Sequence, residues 1–269
     1  AQVLVCRIPQ ERCDLCRVHS AERMQPQMQI VCGASVTDCR AYHRIEPLHL
    51  VRRDIALNIE VRNFIGGRPA YCIPFLRDAA DEYLRAYIDL ARQMAAEWVV
   101  VHGGYHFTGD TGLRRAASID RLKRATGYAE EQGVLLLLEN LNGEPDLAEV
   151  HYMPDTMADT IAWFEAIPSE NLKWAFTINH AHYDNDGIAG WIDGMDMRRC
   201  GEVRVADNNG EYELHMHPGT GTVDFVDMFR RLEAAGFTGH YMCGWGTLQD
   251  MLDGREYLVQ RARDAGVAT

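Results

Sequence analysis

The feature that most limits the folds open to this chain is a regular alternation of short apolar runs with amphipathic segments from residue 97 onward. The apolar runs are continuous and rich in branched side chains, which is typical of strands buried on both faces of a sheet. The five runs are residues 97–102, 134–139, 172–178, 202–206 and 240–243. Apolar residues at helical spacing predict helices over residues 74–94 and 225–232 and from residue 248. Strands that alternate with helices form a parallel sheet covered on both sides.

Three further candidate strands lie in the first third of the chain, at residues 3–5, 29–32 and 56–61. Together with the five runs above they make eight strand–helix units, which close into a barrel of about 250 residues. An open doubly wound sheet is the alternative, although no G-x-G-x-x-G follows a strand to favour its dinucleotide-binding form. The chain has 269 residues and no linker rich in Pro, Gly or Ser. We therefore predict an α/β fold, a single-domain (β/α)₈ TIM barrel over residues 1–269.

Charge and composition restrict the partners and the compartment. The formal net charge of −12 argues against binding to nucleic acid or to an anionic membrane surface, because both require a basic face. No apolar run is long enough to span a bilayer, and the first six residues lack the basic flank of a secretory signal. The eight cysteines include one C-x-x-C at residues 13–16 without a second close pair, so we interpret them as free thiols. A cytoplasmic protein is expected, although a start at Ala1 leaves a removed leader open.

Polar residues concentrate where the predicted strands end, which is the edge that carries the chemistry of such barrels. Any one of them has an ordinary structural explanation, since a strand-end histidine often caps a loop and an Asp or Asn often caps the next helix. Together they bring carboxylate, imidazole and amide groups from four successive strands to one mouth, which predicts an active site. These residues are His102, Glu139, Asn140, Asn142, Asn179, His180, His182, Asp207, Glu213 and His215. The turn 219–221 fits either a phosphate-binding loop or a tight turn into a helix.

Four motifs carry a family resemblance. They are V-V-V-H-G-G at 99–104, L-L-L-E-N-L-N at 136–142, N-x-x-H at 179–182 and H-x-x-P-G-T-G-T-V-D-F at 215–225. From about residue 70 to 250 the chain resembles the xylose-isomerase-like TIM-barrel superfamily. That superfamily includes the sugar phosphate isomerases and epimerases and AP-endonuclease family 2. The E-x-L-N step is especially similar to that of the ketose 3-epimerases.

The resemblance implies one divalent metal ion held by Glu, Asp, His and Glu from four strands. Only the first of these ligands is intact, as Glu139. The other three positions carry Asn179, Arg204 and Gly244. A second group, His102, His182, Glu213 and His215, matches positions that also ligate metal in the multi-metal AP-endonucleases.

Two hypotheses about the site follow. In the first, a shifted divalent ion (Mn, Zn or Fe) is held by Glu139, His182 and His215, with help from His102 or Asn179, because imidazole and carboxylate suit these metals. In the second, the guanidinium of Arg204 has replaced the metal. It would lie beside Glu139 and offer a two-pronged fork to substrate oxygens.

The main functional hypothesis is isomerisation or epimerisation of a sugar, a cyclitol or a similar polyhydroxylated carbonyl compound, with a related elimination also open. Glu139 would remove a proton from carbon, Arg204 or a metal would stabilise the resulting enediolate, and His180 or His182 would move protons between oxygens. Substrate-binding candidates are His102, Asn142, Asn179, Asp207 and Trp245. The resemblance also allows a homodimer.

Two functions of other classes compete with this hypothesis. A metal-dependent hydrolase of the AP-endonuclease type would keep several ions on the histidine-rich group. It would also need a basic, aromatic-rich path for a phosphate backbone, which the sequence lacks. A non-catalytic sugar-binding or partner subunit is the other alternative, because three of the four implied ligands are lost.

Overall fold

A computed structural model of the chain describes residues 74–106, 111–243 and 246–267. The three candidate strands at residues 3–5, 29–32 and 56–61 lie outside these ranges. The described elements, in chain order, are α1 (Pro74–Gln93), β1 (Trp98–Val101), β2 (Gly104–His106), α2 (Thr111–Gln132), β3 (Leu135–Glu139), β4 (His151–Met153), α3 (Met157–Ala166), β5 (Leu172–Thr177), α4 (Ile178–His182), α5 (Gly187–Gly194), β6 (Cys200–Val205), α6 (Phe225–Ala234), β7 (His240–Cys243) and α7 (Leu248–Asp264).

Five strands form one parallel sheet in the order β1-β3-β5-β6-β7, with helices in the crossovers. These strands coincide with the five predicted runs, which are confirmed to within two residues at each end. The curled parallel sheet and its outer helices are those of a TIM barrel, so the predicted fold class is confirmed. A short antiparallel pair, β2 with β4, was not predicted, because each strand has only three residues and shows no apolar run.

Side chains of the parallel strands alternate between two apolar layers, as the two-residue period of a strand requires. In β3, Leu136 and Leu138 belong to the large cluster between sheet and helices, whereas Leu137 belongs to a small cluster inside the barrel. Glu139 is in phase with Leu137 and therefore points into the barrel. Arg204 also points inward, because Val203 and Val205 beside it in β6 belong to the outer layer.

An aromatic stack fills the outer layer behind β5. Trp174, Phe176 and Trp191 are fully buried, with ring centroids 4.4 Å apart for Trp174 and Phe176 and 6.0 Å apart for Trp174 and Trp191. The stack fixes β5 against α5. The strand that carries Thr177 at its end is thus held rigidly in the centre of the described sheet.

Helix starts are specified locally by side chains that accept backbone hydrogen bonds. Asp224 accepts from the amide of Asp227 at the start of α6. Thr247 and Asp250 form a reciprocal capping box at the start of α7. These caps place the two helices that follow β6 and β7.

Two sequence-based exclusions can be compared with the described residues. In these ranges no helix combines the length and apolar character that a membrane crossing requires. Cys200 is a free thiol, as predicted, and six of the other cysteines lie outside the described ranges.

We expect Phe176→Ala to lower the free energy of unfolding by about 3–5 kcal/mol, because it opens a cavity between two buried tryptophans. Urea unfolding followed by tryptophan fluorescence measures this loss. Leu147→Ala is the matched control, since Leu147 is 100% exposed and its truncation should change stability by less than about 0.5 kcal/mol. Equal effects of the two substitutions would contradict the packing described here.

Candidate active site

The candidate site is centred on Glu139, the last residue of β3. Its carboxylate is buried and receives hydrogen bonds at both oxygens. Thr177 donates its hydroxyl to Oε1 at 2.5 Å, His102 Nε2 lies 3.1 Å from Oε2, and Arg204 Nη1 donates to Oε2. The predicted convergence of Glu139, His102 and Arg204 is therefore present in the structure.

The register of the sheet explains why these side chains meet. Glu139 of β3 pairs with Ala175 of β5, and Ala175 pairs in turn with Glu202 of β6. The small side chain of Ala175 leaves space inside the barrel between Glu139 and Glu202. Arg204 lies one layer higher, opposite Thr177, and reaches back over Ala175 to the carboxylate.

A second buried carboxylate, that of Glu202, lies on the other side of Ala175 in the same row of paired residues. Trp98 donates its indole N–H to Glu202 Oε2 at 3.0 Å, and Arg204 Nε is 3.9 Å from Oε1, which is beyond hydrogen-bonding distance. Glu202 Oε1 has no hydrogen-bond donor among the described residues. The guanidinium thus lies between two carboxylates and binds one of them closely.

The two carboxylates have opposite electrostatic environments. Burial raises the pKa of Glu202, with only partial compensation by Arg204 and Trp98. Burial acts in the same direction on Glu139, but Arg204 and His102 outweigh it and hold the pKa of Glu139 well below its ordinary range. Glu139 is therefore a stable anion in this state, and it becomes a stronger base only when the guanidinium moves its charge elsewhere.

His180 lies on the short helix α4 and is held on both sides. Its Nδ1 is 2.8 Å from the carbonyl oxygen of Asn140, and its Nε2 is 3.1 Å from Glu213 Oε1. The side chain of Asn140 accepts from the indole of Trp174 and from the amide of Thr177. Asn140 thus ties the ends of β3 and β5 together and orients His180.

A second acid–imidazole group forms beside His180. His215 Nε2 lies 2.6 Å from Glu213 Oε1, the same oxygen that His180 approaches. Burial acts to raise the pKa of Glu213, but the hydrogen bonds of the two histidines outweigh it and lower this pKa to about 2. Among the described residues, His180, Glu213 and His215 are the group of three whose ligand atoms all lie within 4.8 Å of one another.

The N-x-x-H residues point to different partners. His182 Nε2 is 2.8 Å from Thr222 Oγ1, and burial lowers the pKa of its ring. Asn179 donates its side-chain amide to the carbonyl oxygen of Leu214 at 3.2 Å. The structure therefore brings His215 together with His180, and does not bring Glu139, His182 and His215 together as one group within 4.8 Å. Helical rotation explains this difference, because residues 180 and 182 of α4 project about 200° apart.

Asp207 organises the turn that precedes α6. Its carboxylate accepts backbone N–H groups from Gly219, Gly221 and Val223 at 2.7, 2.9 and 3.1 Å. The amides of Thr220 and Thr222 donate to backbone carbonyl oxygens. All five N–H groups of residues 219–223 have a partner within the chain, so the structure corresponds to the tight turn and not to a phosphate cradle.

The other predicted substrate contacts lie around the mouth. His102 is only 14% exposed and faces Glu139. Asn142 donates to Glu144 Oε1 at 2.5 Å, in the loop after β3. Trp245 lies outside the described residues.

Sequence reasoning missed three residues that hold the site: Thr177, Asn140 as a positioning group, and Glu202. The E-x-R spacing in β6 was a usable signal for Glu202, because residues two apart in a strand share a face. For Thr177 and Asn140, no comparable signal exists, since their roles depend on the pairing of β3 with β5.

Comparison with known proteins gives the chain its family. Residues 73–263 match the family described as xylose isomerase-like TIM barrel. The chain belongs to this family. Curated relatives include an uncharacterized protein of Methanocaldococcus jannaschii, 24% identical over 197 residues, which cover 71% of this chain and 65% of that protein. A putative hydroxypyruvate isomerase of Mus musculus is 26% identical over 55% of this chain and 51% of its own length. The chain thus spans between half and two thirds of these relatives.

Solved structures of similar proteins have the same fold. A D-tagatose 3-epimerase-like protein superimposes with a TM-score of 0.66 at 22% identity, covering 80% of both chains. An L-ribulose 3-epimerase gives a TM-score of 0.65 at 17% identity, covering 79% of this chain and 77% of that one. Another curated relative, the 3-dehydro-D-guloside 4-epimerase of Escherichia coli K12, is 28% identical over 48% of this chain and 45% of its own.

The metal set that the xylose isomerase-like resemblance implies does not fit these residues. At the position of one implied ligand, Arg204 places a guanidinium against Glu139 Oε2, where a cation would otherwise bind the carboxylate. Asn179, at another position, is committed to the carbonyl of Leu214. The geometry therefore favours the second hypothesis at Glu139, in which Arg204 supplies the positive charge.

We expect Arg204→Gln to lower the free energy of unfolding by about 3–5 kcal/mol at neutral pH, because it leaves Glu139 as a buried, unpaired anion. In the native protein the pKa of Glu139 is depressed, so its pair contributes stability above the unfolded value of about 4.3 and loses it as pH falls. Without the guanidinium, burial raises the pKa of Glu139, so protonation relieves the variant at a higher pH than the wild type, and the difference in stability should shrink as the pH is lowered from 8 to 3. Urea unfolding at pH 3 to 8 measures it.

Arg204→Lys is the control, because it keeps a positive charge at the same strand position. It should recover part of the lost stability and keep the pH dependence of the wild type. A destabilisation by Arg204→Gln that is independent of pH would contradict the pairing of Arg204 with Glu139.

Proposed function

We propose that this protein is a sugar isomerase or epimerase that removes a proton from a carbon next to a carbonyl group, with Glu139 as the base. The observation that carries the proposal is the buried Glu139 carboxylate at a strand end, bound by a guanidinium, an imidazole and a hydroxyl. The names of relatives support the same class of reaction, since they include a putative hydroxypyruvate isomerase and a 3-dehydro-D-guloside 4-epimerase.

Substrate binding begins at Arg204. A polyhydroxylated carbonyl compound presents neighbouring oxygens that match the fork of a guanidinium. As these oxygens approach Arg204, its charge is shared between them and the Glu139 carboxylate. The pKa of Glu139 then rises from its depressed value, and the carboxylate becomes a better proton acceptor at the moment the substrate is in place.

The proton transfer follows from this placement. Glu139 takes the proton from the carbon, the electron pair of the C–H bond forms a C=C bond to the carbonyl carbon, and the π pair of the carbonyl group moves to its oxygen to give an enediolate. Arg204 stabilises the negative oxygen, which is the role that oriented donors have in such sites. Return of the proton to the neighbouring carbon gives an isomer, whereas an epimer forms when a second acid delivers a proton to the opposite face of the same carbon.

Other site residues have supporting roles in this proposal. His180, held by Asn140 and Glu213, moves a proton between the two substrate oxygens. His102 donates to a substrate oxygen when Glu139 becomes protonated. Asn142 contacts a substrate hydroxyl group, whereas Asn179 is buried against Leu214 and Asp207 acts on the substrate only through the turn that it holds.

A sugar-binding subunit without catalysis is the second candidate. The observation that favours it is the loss of the implied ligands at Asn179, Arg204 and Gly244. Such a protein would bind a polyhydroxylated ligand at Arg204 and would not exchange its carbon-bound protons.

The test is proton exchange in deuterated water against a panel of ketoses and hydroxy-ketones, followed by NMR and mass spectrometry. Wild-type protein should incorporate deuterium next to the carbonyl group of at least one compound. Glu139→Gln should lower that rate by about 10²–10⁴-fold, the usual contribution of a general base. If the protein binds a compound saturably but exchanges no proton of any compound in the panel, the enzyme hypothesis is wrong and the sugar-binding subunit is favoured.

Glu139→Asp separates loss of chemistry from loss of fold. It keeps the charge that pairs with Arg204 but withdraws the carboxylate by one methylene group. We expect a folded protein with a thermal midpoint near that of wild type and a large decrease in exchange. Retention of the full rate in Glu139→Gln would refute the role of Glu139 as the base.

A further inference from the structure

We propose that His180, Glu213 and His215 form a binding site for one divalent transition-metal ion, zinc in the first place, beside the Glu139–Arg204 pair and separate from it. This set shares Glu213 and His215 with the second group that the family resemblance implies, but has His180 in place of His182 and does not include Glu139. It does not require Glu139 to be the base, but an ion on His180 Nε2 excludes that ring from the proton transfer assigned to it above, so the ion and the chemistry of Glu139 are tested by separate measurements.

The first argument is the geometry of the ligand atoms. His180 Nε2 and His215 Nε2 approach the same oxygen of Glu213, at 3.1 and 2.6 Å, and all three ligand atoms lie within 4.8 Å of one another. Zinc binds imidazole nitrogen and carboxylate oxygen at about 2.0–2.2 Å, so tetrahedral ligands lie roughly 3.3 Å apart. Small side-chain rotations are enough to give these separations.

The second argument concerns the orientation of His180. Its Nδ1 faces the carbonyl oxygen of Asn140 at 2.8 Å, so Nδ1 carries the proton and Nε2 carries the lone pair in the neutral ring. That lone pair points at the carboxylate of Glu213, which is also an acceptor. The lone pair of His180 Nε2 and the carboxylate of Glu213 repel each other unless a positive charge lies between them. That charge is either a second proton on the ring or a metal ion. A histidine with one nitrogen fixed by a carbonyl is the usual arrangement of a metal ligand.

The third argument is that the loop carrying the other two ligands is held in place. Leu214, between Glu213 and His215, accepts hydrogen bonds at its carbonyl oxygen from Asn179 at 3.2 Å and from Asn208 at 3.3 Å. Both asparagines are almost completely buried. Residues 207 and 216 pair as an antiparallel bridge just beyond the ligands. The backbone under the site is thus fixed by internal contacts before any ion binds.

The donor set selects the kind of ion. Two imidazoles and one carboxylate suit zinc and other late transition metals, whereas calcium and magnesium prefer oxygen ligands. With three protein ligands, a tetrahedral ion keeps one position open. The His215 side chain is 45% exposed, so this position is accessible to water or to a substrate oxygen.

The experiment uses the full chain, stripped of metal with a chelator. Cobalt(II) is titrated as a spectroscopic substitute, and zinc(II) is titrated by calorimetry. We expect one ion per chain and visible absorption bands of tetrahedral cobalt. Loss of a residue that only hydrogen-bonds to a metal ligand typically lowers metal affinity roughly 10–100-fold. Because His215 is itself a ligand in this proposal, His215→Ala should lower zinc affinity by more than about 100-fold.

Two histidine variants complete the design. His217→Ala is the matched control, because His217 lies in the same loop and contacts the carbonyl of Pro218; it should bind zinc like wild type. His182→Ala tests the implied ligand set and should also bind like wild type. No stoichiometric binding by wild type, unchanged affinity in His215→Ala, or a large loss in His182→Ala would each overturn the proposal.

Discussion

The buried ion pair of Glu139 and Arg204 is the constraint around which the rest of the site is arranged. Both side chains point into the barrel because they are in phase with the inward residues of β3 and β6. Neither charge can lose its partner without leaving an uncompensated ion away from water. The hydroxyl of Thr177 and the ring of His102 complete the shell of the carboxylate, and their positions follow from the same strand ends.

One guanidinium between two carboxylates produces an asymmetric site. The nearer carboxylate, Glu139, stays ionised, whereas burial drives the deeper one, Glu202, towards its protonated form. Paired titratable groups with opposite shifts are a common mark of acid–base chemistry. Here the asymmetry keeps the negative charge of Glu139 beside Arg204, whereas burial favours the protonated form of Glu202.

The fold was largely predictable from the sequence, and the site only in part. Continuous apolar runs predicted all five described parallel strands, because such runs are a strong local signal, whereas the three-residue strands β2 and β4 carry none. The proximity of Glu139, His102 and Arg204 followed from strand ends that meet at one edge. The grouping of His180 with Glu213 and His215 did not, since it depends on the rotation of α4 and on a loop whose path is set by Asn179 and Asn208. The anchoring role of Asp207 was hidden for the same reason.

That anchor restricts which residue can stand at position 221. A Cβ atom there would lie 2.4 Å from Asp207 Oδ1 and 2.4 Å from the carbonyl oxygen of Asn208, so a side chain at 221 would push apart the base of the loop. The tip of the loop, at Glu211 and Tyr212, is exposed and under no such restriction. Protein engineering can therefore change the rim of the barrel at these two residues without disturbing the turn that supports it.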